Sequence, residues 1–209
     1  AIIIITVLTT VPTFPEGIRA IDAFRRADLF HKLKFNAYMV IHRKEWWRML
    51  TSGFLHVGWW HLFFNMLTLY FFGRIVEQYF VFYWGSIGRI IFFALYIIAI
   101  PLSSISDLIK HRNNSYYSAV GASGAVSAIL FASIIFEPWI GIMIFPLPFE
   151  IPGIVFGPLY LAYSHYMGRR NLDNIGHDAH FWGAVVGFIL PFLLKPFLFK
   201  MFIEKVAGG

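Results

Sequence analysis

Cysteine is absent from the 209 residues, which excludes disulfides, thiolate nucleophiles and cysteine-based zinc or iron–sulfur sites. Any nucleophile must be a hydroxyl, a carboxylate, a lysine or water. Charge is scarce as well. Charged residues make up 13% of the chain and hydrophobic ones 58%, against roughly 25% and 45–50% in soluble domains. With a mean hydropathy of +0.67, this is the composition of an integral membrane protein. No internal repeat or low-complexity tract interrupts residues 1–209, which read as a single domain. The formal net charge is +6, but the basic residues fall in loops around apolar runs. An anionic lipid surface, and not nucleic acid, is the partner they imply.

Each membrane crossing needs about 20 mostly apolar residues. Six stretches suit that role: Ile2–Phe14, Ser52–Phe72, Ser86–Ile105, Ser118–Phe136, Ile151–Met167 and Ala179–Leu194. The first is short and contains Pro12. It reads as a helix and not a signal peptide, because it has neither a basic leading stretch nor a small-residue cleavage site. Between Pro15 and Trp47 charges alternate with aromatic and aliphatic residues, the pattern of short amphipathic helices lying at the interface. Pro138, Pro146, Pro148 and Pro152 break helix between the fourth and fifth spans, so a turn-rich connection is expected there. The expected fold is an all-α membrane protein, a bundle of six transmembrane helices with an interfacial first loop.

Polar residues inside these runs are the candidates for chemistry. Gly121-Ala-Ser-Gly-Ala-Val-Ser-Ala128 places Ser123 among small residues at the head of a run with no charge before Glu137. A hydroxyl there has little water, and small neighbours let other helices come close. Downstream, His180 is followed by Gly183 and Gly187 in a second apolar run. Small faces on both helices bring backbones near enough for a hydroxyl and an imidazole to meet, and these two groups make a minimal acyl-transfer engine. His61 and Asn65 stand four apart on one helical face, with His56 a little over a turn earlier. They offer two donors to a common pocket or, alternatively, hydrogen bonds that hold the bundle together. Glu77, with Gly73 at the end of the second span, reads as structural, through Arg74 or backbone groups at a turn. Asp178 reads as the N-cap of the sixth helix. It is not taken as the third member of a triad, because positions i and i+2 of a helix diverge.

These residues together resemble the rhomboid intramembrane serine proteases over nearly the full chain. The matching pieces are Trp47-Arg48, His61 with Asn65, Gly73 with Glu77, Gly121-Ala-Ser123-Gly124, and Ala179-His180 with Gly183 and Gly187. The resemblance implies a six-helix core around a water-filled cavity opening to one membrane face, and a Ser–His dyad with no acidic third member. It implies Ser123 as nucleophile and His180 as general base and later acid. His61 and Asn65, with the Ser123 backbone N–H, are implied as the oxyanion hole. The implied activity is serine endopeptidase cleavage of single-span membrane proteins, at small residues near a helix end that unwinds easily, with no cofactor or metal. In many members an aromatic residue one turn after the serine packs on the histidine; here that position is Ser127.

Two other classes stay open. One is a metal-dependent membrane enzyme built on His56, His61, His177 and His180, which leaves Ser123 unexplained and lacks acidic ligands within the membrane. The other is a catalytically inactive rhomboid-like chaperone for transmembrane helices, although relatives of that kind lack the dyad. The resemblance places both termini in the cytoplasm, in a bacterial inner membrane, with the active site toward the outer face. The charges argue the other way. Arg19, Arg25, Arg26, Lys32, Lys34, Arg43, Lys44, Arg48, Lys110, Arg112, Arg169 and Arg170 lie on the site's side, twelve of the seventeen basic residues, and the positive-inside rule alone would invert the protein. The family orientation is preferred, because Glu16, Asp22, Asp28 and Glu45 are interspersed in the first loop as in a folded interfacial element.

Overall fold

Long, mostly apolar runs give a chain whose described residues are mostly helical. The structure, a computed structural model, describes residues 1–11, 20–144, 148–170, 173 and 175–208. A short α1 (Ile2–Thr10) precedes three helices of the first loop: α2 (Ala20–Leu33), α3 (Ala37–His42) and α4 (Arg48–Thr51). Then come α5 (Trp59–Trp84), α6 (Gly88–Ser103), α7 (Ile105–Lys110) and α8 (Ser123–Phe136). A hairpin of β1 (Gly141–Met143) and β2 (Glu150–Pro152) leads into α9 (Gly153–Arg170), α10 (His177–Leu194) and α11 (Phe197–Ala207).

The centre of the molecule is α8. Every residue from Gly124 to Phe136 is buried, and the helix packs on α5, α6 and α10, with α9 and α11 at its flanks. Small residues permit that arrangement. A Cβ on Gly183 would overlap the carbonyl oxygen of Gly124, and one on Gly187 would overlap that of Ala128, so α10 rests directly on the α8 backbone. Ser103 of α6 comes as close on another side, lying where a Gly124 side chain would be.

The first loop is folded over its described residues, from residue 20 onward. Arg48 is buried and fully engaged: Nε meets Glu45 at 2.5 Å, and Nη1 donates to the carbonyls of His31 at 2.7 Å and Lys34 at 2.9 Å. Asn36 caps α3 by accepting from the Met39 N–H, and its Nδ2 donates to the Ser115 and Tyr117 carbonyls. Phe35 and Ala119 exchange both backbone hydrogen bonds, at 3.0 and 3.1 Å. This loop therefore positions the segment that leads into α8.

Several expectations need correction. The helical fold also carries one small hairpin, in which β1 and β2 pair antiparallel with Ile142 opposite Ile151. Of the six expected spans, two stretches of the described residues are long and apolar enough to cross a membrane by themselves: 59–110, through three consecutive helices, and His177–Leu194. α8 is apolar but has 14 residues, about 21 Å at 1.5 Å per residue, against a hydrocarbon core of ~30 Å. The second span begins at Trp59 and not Ser52, and continues to Trp84. Its 26 residues reach about 39 Å, more than the hydrocarbon core is thick. Gly73, Arg74 and Glu77 thus lie within the helix and not at its end. Glu77 pairs with Arg89 at 3.5 Å, while Arg74 lies over the ring of Tyr70. The expected first span, Ile2–Phe14, ends in residues 12–14, which fall outside the described set.

Candidate active site

Ser123 is the first residue of α8, reached through a turn pinned from several sides. Gly121 has φ +132° and donates its N–H to the Ser52 carbonyl at 3.0 Å. A side chain at Gly121 would be strained and would meet the His61 ring, with Cε1 at 2.7 Å and Nε2 at 2.9 Å. The next N–H, that of Ala122, points to Nε2 of His56 at 3.4 Å. His56 reaches Oγ1 of Thr10 through Nδ1 at 3.1 Å, and Thr10 donates to the Phe54 carbonyl at 2.7 Å. His56 stands in the loop ahead of α5, where burial and then the neighbouring His61 push its pKa down to about 3. It is neutral at physiological pH, with Nε2 available as an acceptor.

The first-turn N–H groups of α8, including that of Ser123, have no intrahelical carbonyl partner and carry the positive end of the helix dipole. Asn65 is buried on α5 and gives one amide N–H to the His61 carbonyl at 2.8 Å. His61 Nδ1 is buried with no hydrogen-bond partner among the described residues, while the other edge of its ring faces Gly121. His180 lies in the first turn of α10, with its backbone N–H on the Gly176 carbonyl at 3.0 Å. All four side chains, Ser123, His180, His61 and Asn65, line one cavity of about 1260 Å³. No hydrogen bond joins Ser123 Oγ to the His180 ring; free enzymes often hold such pairs apart until substrate is bound.

Nearby acids are otherwise engaged. Asp178 is not an N-cap, because α10 starts one residue earlier, at His177, after Gly176. Its carboxylate instead meets Lys110 at 2.8 Å, and Lys110 also donates to the Gly168 carbonyl at 3.0 Å. This ties α10 to α7 and to the end of α9. Asp173 holds Nε2 of His177 with both oxygens at 3.1 Å, and that bond keeps its carboxyl below the usual range. The four histidines of the metal reading stand as two pairs, His56 with His61 at 4.9 Å and His177 with His180 at 6.0 Å between ring centroids. Among the described residues no group of three or more His, Asp or Glu is placed to hold a metal ion.

Comparison with known sequences settles the lineage. The rhomboid domain model matches residues 43–197, most of the chain and all four side chains of the cavity. The chain belongs to the rhomboid family. It is 28% identical over 171 residues to Rhomboid-like protein 11, chloroplastic, of Arabidopsis thaliana, covering 77% of this chain and 56% of that protein. It is 33% identical over 157 residues to RHOMBOID-like protein 4 of the same plant, covering 74% of this chain and 36% of that one. The putative rhomboid protease YdcA of Bacillus subtilis is 29% identical over 154 residues, 71% of this chain and 67% of its own length. The alignment thus spans about a third to two thirds of these relatives. A rhomboid domain makes this a membrane protein. The relatives' names cover a bacterium and a chloroplast alike, so they carry the membrane and not the compartment.

Two features of this rhomboid site escape sequence reasoning. Tyr160 of α9 enters the cavity, lies nearly parallel to His180 and shares a 2.7 Å hydrogen bond with Ser127. His56, read as a possible pocket donor or metal ligand, has both ring nitrogens engaged in holding the turn before Ser123.

Proposed function

We propose that this rhomboid is a serine endopeptidase that hydrolyses peptide bonds in or near the transmembrane segments of single-span membrane proteins. The observation that carries this reading is the convergence of a helix-terminal serine, a histidine and two further donors on one cavity among buried helices. Ser123 Oγ attacks the scissile carbonyl, and its proton passes to His180. The oxyanion that forms is held by the Ser123 N–H, by the second amide N–H of Asn65 and by the His61 ring. His180 then returns the proton to the leaving amine, and a water deprotonated by His180 releases the acyl group. Among the described residues no carboxylate is hydrogen-bonded to the His180 ring, since Asp173 is bound to His177 and Asp178 to Lys110, so the reaction runs on a dyad. A substrate helix must give up its own hydrogen bonds to reach Ser123, which favours segments that unwind easily.

The reading includes six crossings, a single domain, no cofactor and no metal, with both termini in the cytoplasm and Ser123 nearer the outer face. The folded first loop supports that orientation, since Arg48 is neutralised within it and its remaining basic residues suit headgroups of either leaflet. The test is cleavage of a transmembrane reporter by purified protein. Ser123→Ala and His180→Ala should each abolish it while the melting temperature holds, and chelators should have no effect. Turnover by pure Ser123→Ala protein would overturn the mechanism.

A further inference from the structure

A general base with no carboxylate behind it must have its ring plane fixed in another way. Asp173 is committed to His177 and Asp178 to Lys110. Two rings remain beside His180. That of His177 stands at 75°, with centroids 6.0 Å apart. That of Tyr160 lies nearly parallel, at 22° and 6.5 Å, in the offset range that aromatic pairs favour. Tyr160 is itself held on three sides. Its hydroxyl shares a 2.7 Å hydrogen bond with Ser127, one turn after Ser123 on the buried face of α8, and its ring packs against Phe131 at 5.5 Å and Phe156 at 5.3 Å. Ser127 and Tyr160 therefore link the nucleophile's helix to the base across α9.

We infer that Tyr160, anchored by Ser127, is the positioning residue that sets the orientation of the His180 ring. This deepens the protease reading and rests on it. Tyr160 takes no proton and touches no reacting atom. Its ring, nearly parallel to the imidazole, limits rotation of His180 and so keeps a ring nitrogen available to Ser123. The hydroxyl anchors and the ring acts, so removing the ring should cost more than removing the bond. Because Tyr160 belongs to α9, the dyad is organised only while α9 is docked on α8.

The test separates positioning from substrate binding. A fluorophosphonate small enough to need no transmembrane segment reports the reactivity of Ser123 alone, and a transmembrane reporter gives kcat and KM. In the full chain in detergent, Tyr160→Leu should label about 10- to 100-fold more slowly, as expected for a misaimed catalytic group. Its kcat should fall in parallel and its KM stay within about twofold. Tyr160→Phe, which keeps the ring, should recover all but about threefold of the rate. If Tyr160→Leu unfolds, Ser127→Ala decides: it leaves every ring in place and should slow labelling about threefold, like Tyr160→Phe. Labelling at the parental rate in folded Tyr160→Leu, or in Ser127→Ala where that variant decides, overturns the inference. So does a raised KM with unchanged labelling, which would make Tyr160 a wall of the substrate site. These results leave the protease reading intact, whereas a parent chain that fails to label at Ser123 sinks that reading and this inference together.

Discussion

The contact between α8 and α10 gives the sharpest structural prediction, because a single methyl group tests it. Gly183 lies one turn after His180 and faces Gly124, the residue after Ser123. A Cβ at 183 would overlap the Gly124 carbonyl oxygen and come within 3.0 Å of its Cα. Backbone cannot swing aside as a side-chain tip can, so relief requires the helices to part by about 1 Å. Overpacking of this kind costs roughly 1–3 kcal/mol, and a displacement of about 1 Å between reacting groups costs on the order of 100-fold in rate. Gly183→Ala should therefore melt several degrees below the parent in detergent and cleave a transmembrane reporter about 100-fold more slowly. Gly187→Ala meets the Ala128 carbonyl in the same way, but further along the helices from the dyad. It should lose similar stability and less activity. Gly157→Ala is the control, since its Cβ would meet Phe131 at 3.6 Å and Ile134 at 3.8 Å, ordinary contacts. If Gly183→Ala melts and cleaves like Gly157→Ala, the close approach of the two helices is wrong.

Asn65→Ala should lower kcat by about 10²–10³ with little change in KM, because the lost donor acts on charge present only in the transition state; an equally stable variant with parental kcat removes Asn65 from the oxyanion hole. His56 has its pKa lowered from 6.5 to about 3. The unfolded chain therefore binds a proton that the folded chain refuses, and stability should fall as pH drops from 6.5 toward 3. His56→Gln should flatten this slope in thermal melts, and an identical pH dependence in both proteins would show that His56 is not the group responsible. For orientation, a reporter cysteine belongs at Asn113, exposed in the connection between α7 and α8. Asn113→Cys should react with an impermeant maleimide in intact cells and Gly208→Cys only after lysis; the reverse pattern would invert the protein.

The catalytic candidates were readable because their chemistry is local. A serine among small residues, a histidine ahead of two glycines and a His/Asn pair four apart each state a spacing on one helix. What was not readable depends on where separate segments meet. Ser127 and Tyr160 are 33 residues apart, and nothing around either predicts that a hydroxyl on one helix will hold a ring from another against His180. Asp178 is no cap because α10 begins at His177, a shift of one residue that turns a cap into a first-turn carboxylate able to reach Lys110. The length of α5 is not legible in the sequence, because Arg74 and Glu77 look like a boundary yet lie inside a continuous helix of 26 residues. The β1–β2 hairpin lies among the prolines expected to give only turns. Three-residue strands carry too little alternation to be seen in sequence.

The central claim is that Ser123, activated by His180, is the nucleophile. The most direct measurement is to label the purified full chain with a fluorophosphonate and map the modified residue by mass spectrometry. The account predicts a single adduct on Ser123, lost in Ser123→Ala and nearly lost in His180→Ala. An adduct on another residue, or labelling of Ser123 that is indifferent to His180, would contradict it.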